Sequence, residues 1–415
     1  MLKGGILYFT LFLMLISTIV ISLIFMRQVI FQNSYTTWCK SEEMELNLQS
    51  AFLIYKQKPE ILLLKDSLDL DLYQDSISNV KLSKESWGIF DIVSATTYWG
   101  NKTLRRSGLF GEVINSNDPA LYMPDRGLNL SLSGHTKIVG TVYSPSGIIR
   151  KGSIEGQPFI YDKVTEGTIK PSDKTLPRLD SNVEEEIGKI FNEINPEISL
   201  SLLQTNEYPS IENAFENSTV TYFDEPDAIL SNLTFKGRII VCAPGSIFVD
   251  NTASLENVIL IARKINIGEG FSGSFQAFAL DSIIVASNVS LTYPTILCIS
   301  GEDNNANSFK PVISIGTNTT ISGCVILNSS SDNGKLVIHE NSTITGQVYC
   351  KGDVDLKGGI NGSLFCNRFS FVNGRSTYVN HLLNAEINIA NLPQGFCGFH
   401  LEDKSSTRGL IKWFD

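Results

Sequence analysis

Residues 344–365 read ITGQVYCKGDVDLKGGINGSLF, and residues 138–159 read IVGTVYSPSGIIRKGSIEGQPF. Laid over each other without a gap, at an offset of 206, nine of 22 positions agree: Ile, Gly, Val, Tyr, Lys, Gly, Ile, Gly and Phe. Inside each copy an Ile-x-Gly unit recurs after 16 residues, from Ile138 to Ile154 and from Ile344 to Ile360. A further unit starts at Ile321, and the longer frame Asn-x-Thr-Ile-x-Gly occurs at 318–323 and at 341–346. Periods of 16 to 23 residues made of strand and turn suit coils of a parallel β-helix and are too short for propeller blades of ~40 residues.

Alternation then assigns faces. Side chains two apart in a strand point the same way, so Ile344, Gly346, Val348 and Cys350 form the core side, with Thr345, Gln347 and Tyr349 opposite. Coils stack ~4.8 Å apart, which makes Cys350 and Cys366 internal neighbours, expected as a thiol ladder and not a disulfide. The equivalent outward position in five units holds Tyr143, Phe159, Ile326, Tyr349 and Phe365. Such an apolar strip needs a cover, either the helix at 181–194 or the stalk described below. Left open, it is a platform for a sugar polymer or a neighbouring subunit.

The coil pattern resembles that of right-handed β-helix families, bactofilin-like polymer formers and pectin-degrading enzymes among them. It carries no signature motif, so no family residue is transferred. β-Helix polysaccharide enzymes use outward carboxylates with a basic residue; Asp353 with Asp355, and Glu302 with Asp303, are the acids that such a site would draw on. A groove-acting polysaccharide lyase or glycoside hydrolase, tethered to a membrane, is the runner-up reading, and a bactofilin-like polymer former the third.

Upstream, Ile6 and Met26 bound a 21-residue stretch, ILYFTLFLMLISTIVISLIFM, free of charge, Gly and Pro. At 1.5 Å per residue it spans roughly 30 Å, enough to cross the hydrocarbon of a lipid bilayer once. The next breaker is Pro59, so one helix of 53 residues, about 80 Å, continues as a stalk. Leu46, Leu48, Ala51, Phe52, Ile54 and Tyr55 give its distal part an apolar face. Lys3 precedes the span and Arg27 follows it, so flanking charge is balanced. The Asn-, Ser- and Thr-rich downstream sequence favours a periplasmic or extracellular location for the bulk of the chain.

Lys3, Gly4-Gly5 and an apolar helix running into an amphipathic one resemble the amino terminus of type IV pilins and pseudopilins. The resemblance implies cleavage by a prepilin-type peptidase after Gly5. It also marks a departure, because the fifth mature residue would be Thr10 where major pilins carry Glu.

Between helix and coils, SWGIFDIVSATTYWGNKTLRRSGLF (residues 86–110) reads as two strands joined at Gly100-Asn101. Ser181 with Glu184 reads as a capping box opening an amphipathic helix that stops at Asn195-Pro196. The division expected is 1–58 transmembrane helix and stalk, 59–126 strand-rich collar, 127–162 first solenoid segment, 163–217 insertion, 218–380 main β-helix of about nine coils, and 381–415 C-terminal cap.

Composition narrows function by exclusion. The 415 residues carry 33 Lys plus Arg against 43 Asp plus Glu, a net charge of -10, with no basic run, so nucleic acid is not an expected partner. Seven Cys without a Cys-x-x-Cys and four scattered His give no metal spacing, and no cofactor is expected. Gly268-Glu-Gly-Phe-Ser-Gly273 matches a dinucleotide fingerprint, but the strand pattern after it lacks the helix that would hold a pyrophosphate. Nine Asn-x-Ser/Thr sequons occur, at least two of them inside the repeat frame where Asn suits a left-handed turn. The expectation is a mainly β, non-enzymatic cell-envelope protein, displaying a β-helix as a structural, adhesive or pilus-associated module.

Overall fold

The computed structural model describes residues 3–62, 67–73, 79–115, 117–192, 198–199, 209–301, 310–374, 376–402 and 407–414. The chain is mostly β, with a β-solenoid of about 11 turns and one long apolar amino-terminal helix. It divides into two compact units, residues 1–84 with 94–106, and residues 85–93 with 107–415.

The first unit is built on helix α1, Lys3–Gln57, unbroken over 55 residues and followed by a single 3-10 turn at Pro59–Leu62. From Gly5 on, its first half is exposed, and the most apolar window, none of it buried, has a mean hydropathy of 2.6. Its second half is amphipathic: Met44, Leu48, Ala51, Phe52 and Tyr55 are buried, as are Val80, Leu82 and Ala95 from the strands of the same unit. Glu45 pairs with Arg106 at 2.6 Å. Strand Ser67–Asp71 runs antiparallel to Asn79–Trp87, and the next two strands, Phe90–Trp99 and Lys102–Val113, form the hairpin expected at Gly100-Asn101.

In the second unit, three parallel walls wind round one interior. The first wall aligns the repeat isoleucines: Ile321, Ile344, Ile360, Ile387 and Ile138 are successive register partners, all within 1% of complete burial. The second wall stacks Val241, Leu260, Ala277, Leu297, Val325, Val348 and Leu364 inward, and the third stacks Ile265, Ile283, Ile313, Leu336 and Val354. Removing such side chains from water gives roughly 1.5–3 kcal/mol each, the term that holds the coils together. Cys350 and Cys366 are in register inside this core, and both are free thiols.

Two features set the wall corners. Asn232, Asn288, Asn318 and Asn341, all sequon asparagines, take φ between 50° and 60°. Gly323, Gly346 and Gly362 take φ near 150°, and a β-carbon on any of them would overlap the carbonyl of the coil beneath. The repeat frame is thus a corner signature: Asn turns the chain, and Gly lets adjacent coils close to strand spacing.

The order of coils differs from the order of the chain. Leu364 pairs with Leu121, and Leu121 with Val142, so residues 119–144 continue the stack past its carboxy-terminal end, and Ile169–Pro171 adds a further rung on Val142. The first segment therefore joins the main rod. Pro119–Tyr122, expected in the collar, is a rung, which accounts for more turns than the nine expected. His381–Leu383 and Glu386–Asn388, expected in the cap, are rungs as well. Among the described residues the rest of the tail pairs elsewhere: Cys397–Gly398 and Arg408–Phe414 run antiparallel to Lys102–Val113. The whole solenoid is thus inserted in sequence between strands of one antiparallel sheet.

Ile154 is not a coil residue. Glu155 (φ 51°) and Gly156 (φ 78°) turn a small antiparallel hairpin, Ser153–Ile154 against Gln157–Pro158, and Ile154 packs with Phe371 and Leu383. A Gly that bends a coil at 362 turns a hairpin at 156, because Glu155 before it also adopts positive φ. Helix α2, Ser181–Asn192, starts one residue earlier than a Ser181 cap implies: the Asp180 carboxylate accepts the Asn182 amide at 2.9 Å. The Asn195-Pro196 stop lies outside the described residues.

Candidate functional site

The strip foreseen on the solenoid exists on the outer side of the second wall. Cys242, Ile261, Phe278, Cys298, Ile326, Tyr349, Phe365, Tyr122 and Tyr143 are consecutive register partners. Tyr122 stacks on Tyr143 at 5.3 Å and on Phe365 at 6.2 Å, and Lys170 lies 5.5 Å over the Tyr143 ring. Tyr143, Ile326, Tyr349 and Phe365 are brought together. Phe159 is not: it follows the small hairpin, under Lys151, because the repeat breaks before it.

This ladder is covered. Trp87, Ile89 and Phe90, then Phe396, Phe399 and Leu401, and Leu176, Leu179, Val183 and Ile187 around α2 pack in one cluster with it. Ile326, Tyr349 and Phe365 are 3% exposed or less. Two buried glutamines pin the covering segments. Gln276 accepts from the Ile89 amide at 3.2 Å and donates to the Trp87 carbonyl at 2.8 Å, and the β-carbon missing at Gly88 (φ 65°) leaves room for its amide. Gln347 accepts from the Phe399 amide at 3.1 Å. The Tyr293 hydroxyl both accepts from the Cys397 amide and donates to its carbonyl. Sequence reading placed Gln347 opposite the core face but gave it no role; a Gln between apolar neighbours on an outward position was the available signal.

Burial also removes nucleophilic chemistry here. It pushes the Cys242 thiol up to about 11 and Cys324 to about 12, and Cys298 higher, so none is a thiolate at neutral pH.

The acids that sequence reading singled out sit on the outer side of the third wall. Asp353 is held by Arg368 through two hydrogen bonds, one of them 3.0 Å. Asp355, in register with Val337, is 4% exposed, with one carboxylate oxygen lacking a partner. Burial raises its pKa, while Lys357, Lys335 and His339 pull it back. Acids and bases do converge, but a general acid must touch the glycosidic oxygen, and this carboxyl is closed to a polymer. Glu302 and Asp303 lie outside the described residues. Among the described residues no three His, Cys, Asp or Glu side chains converge as metal ligands. Gly268 and Gly270 lead directly into strand Ser272–Val285, so the dinucleotide fingerprint is a turn between coils that ends inside a strand, with no helix after it.

Gly5 lies within α1, and nothing stands within 4 Å of where its β-carbon would be. The Thr10 hydroxyl is satisfied by the Leu7 carbonyl at 2.9 Å, as a hydroxyl in an apolar helix must be. From Ile6 to Phe31 the large apolar side chains of α1 are 42–70% exposed, apart from Tyr8 at 77%.

No protein-family model matches the chain, and no curated protein matches it in sequence. Among solved structures it is similar to the competence-associated pilin ComZ from Thermus thermophilus, at 12% identity over 84% of this chain and 87% of that one. The TM-score is 0.26, too low a likeness to bear on fold or function.

Proposed function

We propose that this is a membrane-tethered, non-enzymatic envelope protein of pilin-like build. Residues 6–26 insert in the bilayer, and the chain presents its solenoid outside the cytoplasm as a structural, adhesive or pilus-associated module. One observation carries the reading: α1 is apolar and uncovered on all sides over its first half, yet amphipathic and packed on one face over its second. A helix exposed in that way needs lipid or other apolar helices around it. The closed ladder and the shut-in Asp355 speak against the enzyme alternative.

Membranes washed at alkaline pH should retain the chain, and mass analysis of its amino terminus should give Ile6 under pilin-type processing. An intact Met1 reduces the reading to a plain anchor, and release into the wash overturns it. A carboxy-terminal reporter active only in the cytoplasm would instead favour the bactofilin-like alternative.

A further inference from the structure

The repeat coils cross the corner between the first and second walls in four residues, from Ile321 to Val325, Ile344 to Val348 and Ile360 to Leu364. Two coils earlier in the rod take longer. Leu255 to Leu260 needs five, with Asn257 at φ 57°, and Leu291 to Leu297 needs six. Between those two, Gly273 to Ala277 is crossed in four, so the ladder loses register on both sides of it, at Glu256/Val258 and at Gly273/Gln276. An unpaired extra residue bends its strand away from the partner. A short coil between two bulged ones is therefore the floor of a notch, and a cavity of about 260 Å³ stands there, open on its outer side.

Ser254 and Glu256 line one rim, Ser272 the floor, and Thr292 and Tyr293 the other rim, and Lys412 joins them from the tail strand. The Lys412 ammonium bonds Glu256 Oε1 at 2.8 Å and holds that carboxyl below its usual range, so it is an anion at neutral pH. The Asn257 amide reaches the same oxygen at 3.5 Å. Among the described residues, Oε2 and the hydroxyls of Ser254 and Ser272 have no hydrogen-bond partner.

This lining decides between ligand classes. A free anion would meet the Glu256 carboxylate and a free cation the Lys412 ammonium, each at like charge. A neutral polyol suits both, because its hydroxyls donate to the carboxylate and accept from the ammonium, and serine and threonine hydroxyls do either. The half-buried Tyr293 ring adds an apolar surface for the C–H face of a pyranose. We propose that the notch at Ser254, Glu256, Ser272 and Thr292 binds one unit of a neutral glycan. Its volume lies below the ~300–1,000 Å³ of sites that enclose drug-sized ligands, which fits a single sugar unit with the rest of its chain outside. Glu256 is the one acid in the lining, and glycoside hydrolysis uses a pair, so the site holds without cutting. The inference deepens the adhesive form of the proposed function and rests on it, since an exported solenoid is what meets surface glycans.

The full chain, purified in a detergent without a sugar headgroup, is titrated with cellotriose, triacetylchitotriose and mannotriose by saturation-transfer NMR, with trigalacturonate as the acidic counterpart. At least one neutral trimer should bind saturably, and the acidic one more weakly. Glu256→Gln, which loses a charged acceptor, should weaken that binding about tenfold. Ser272→Trp, which fills the notch from an exposed position, should abolish it, and Thr320→Trp, two coils on in the same outward row, should leave it unchanged. The site is overturned by no saturable binding of any neutral trimer, by trigalacturonate binding as tightly, by indifference to Glu256→Gln or Ser272→Trp, or by equal loss in Thr320→Trp. Because binding is read on the detergent-purified chain, its failure leaves the anchor intact, whereas release into the alkaline wash overturns the anchored reading and leaves the notch measurable.

Discussion

At the scale of single residues, Asp355 shows how one position stores a pH dependence. Its carboxyl is buried and half-unpartnered. Because burial raises its folded pKa above the ordinary carboxylate value of 3.8, the fold binds that proton more tightly than the unfolded chain does. The associated stability is fully present below the ordinary value and is lost as pH rises through the raised one. Asp355→Asn should therefore be more stable than the natural chain at neutral pH by about 1–3 kcal/mol, with the advantage shrinking toward pH 4. Denaturant melts at both pH values check this, and parallel profiles would refute it. Sequence reading named Asp355 among the outward carboxylates. Alternation fixes which side of a wall a residue takes, not what lies over that side.

Among elements, the glycine corner is the sharpest test of the coil geometry. Gly346 has φ 146°, and an added β-carbon would run into the Gly323 carbonyl and the Phe396 ring. Gly346→Ala should cost about 2–4 kcal/mol, combining backbone strain with overpacking. Gly374→Ala, at φ 55° with open space around it, should cost only about 1–2 kcal/mol. Equal losses in thermal melts would remove close coil approach as the reason for the repeat. The Ile-x-Gly frame was legible in sequence because each coil presents the same corner to the next. Where it misled, at Ile154 and Phe159, the same letters Ile-x-Gly formed a tight hairpin, a choice set by the two consecutive positive-φ residues and not by the apolar pattern.

For the molecule as a whole, the amino-terminal span and the solenoid are separable in energetic terms. None of the most apolar window of α1 is buried within the protein. Removing residues 3–31 should leave a soluble chain with unchanged β-sheet circular dichroism; a product that aggregates with its strand signal lost would show that the span supports the fold. The net charge of -10, which becomes -12 once Lys3 and Arg27 are gone, favours the solubility of what remains.

The sequence by itself determined the unbroken helix, the strand-and-turn period, the inward isoleucines and the asparagine-glycine corners, because each depends on neighbours a few residues away or one coil away. Only the tertiary structure decided that residues 119–144 stack after residue 364, that the tail joins the Lys102–Val113 strand, and that Gln276 and Gln347 anchor a cover over the aromatic ladder. Those pairings join residues up to about three hundred positions apart, where no local periodicity constrains the partner and burial alone selects it.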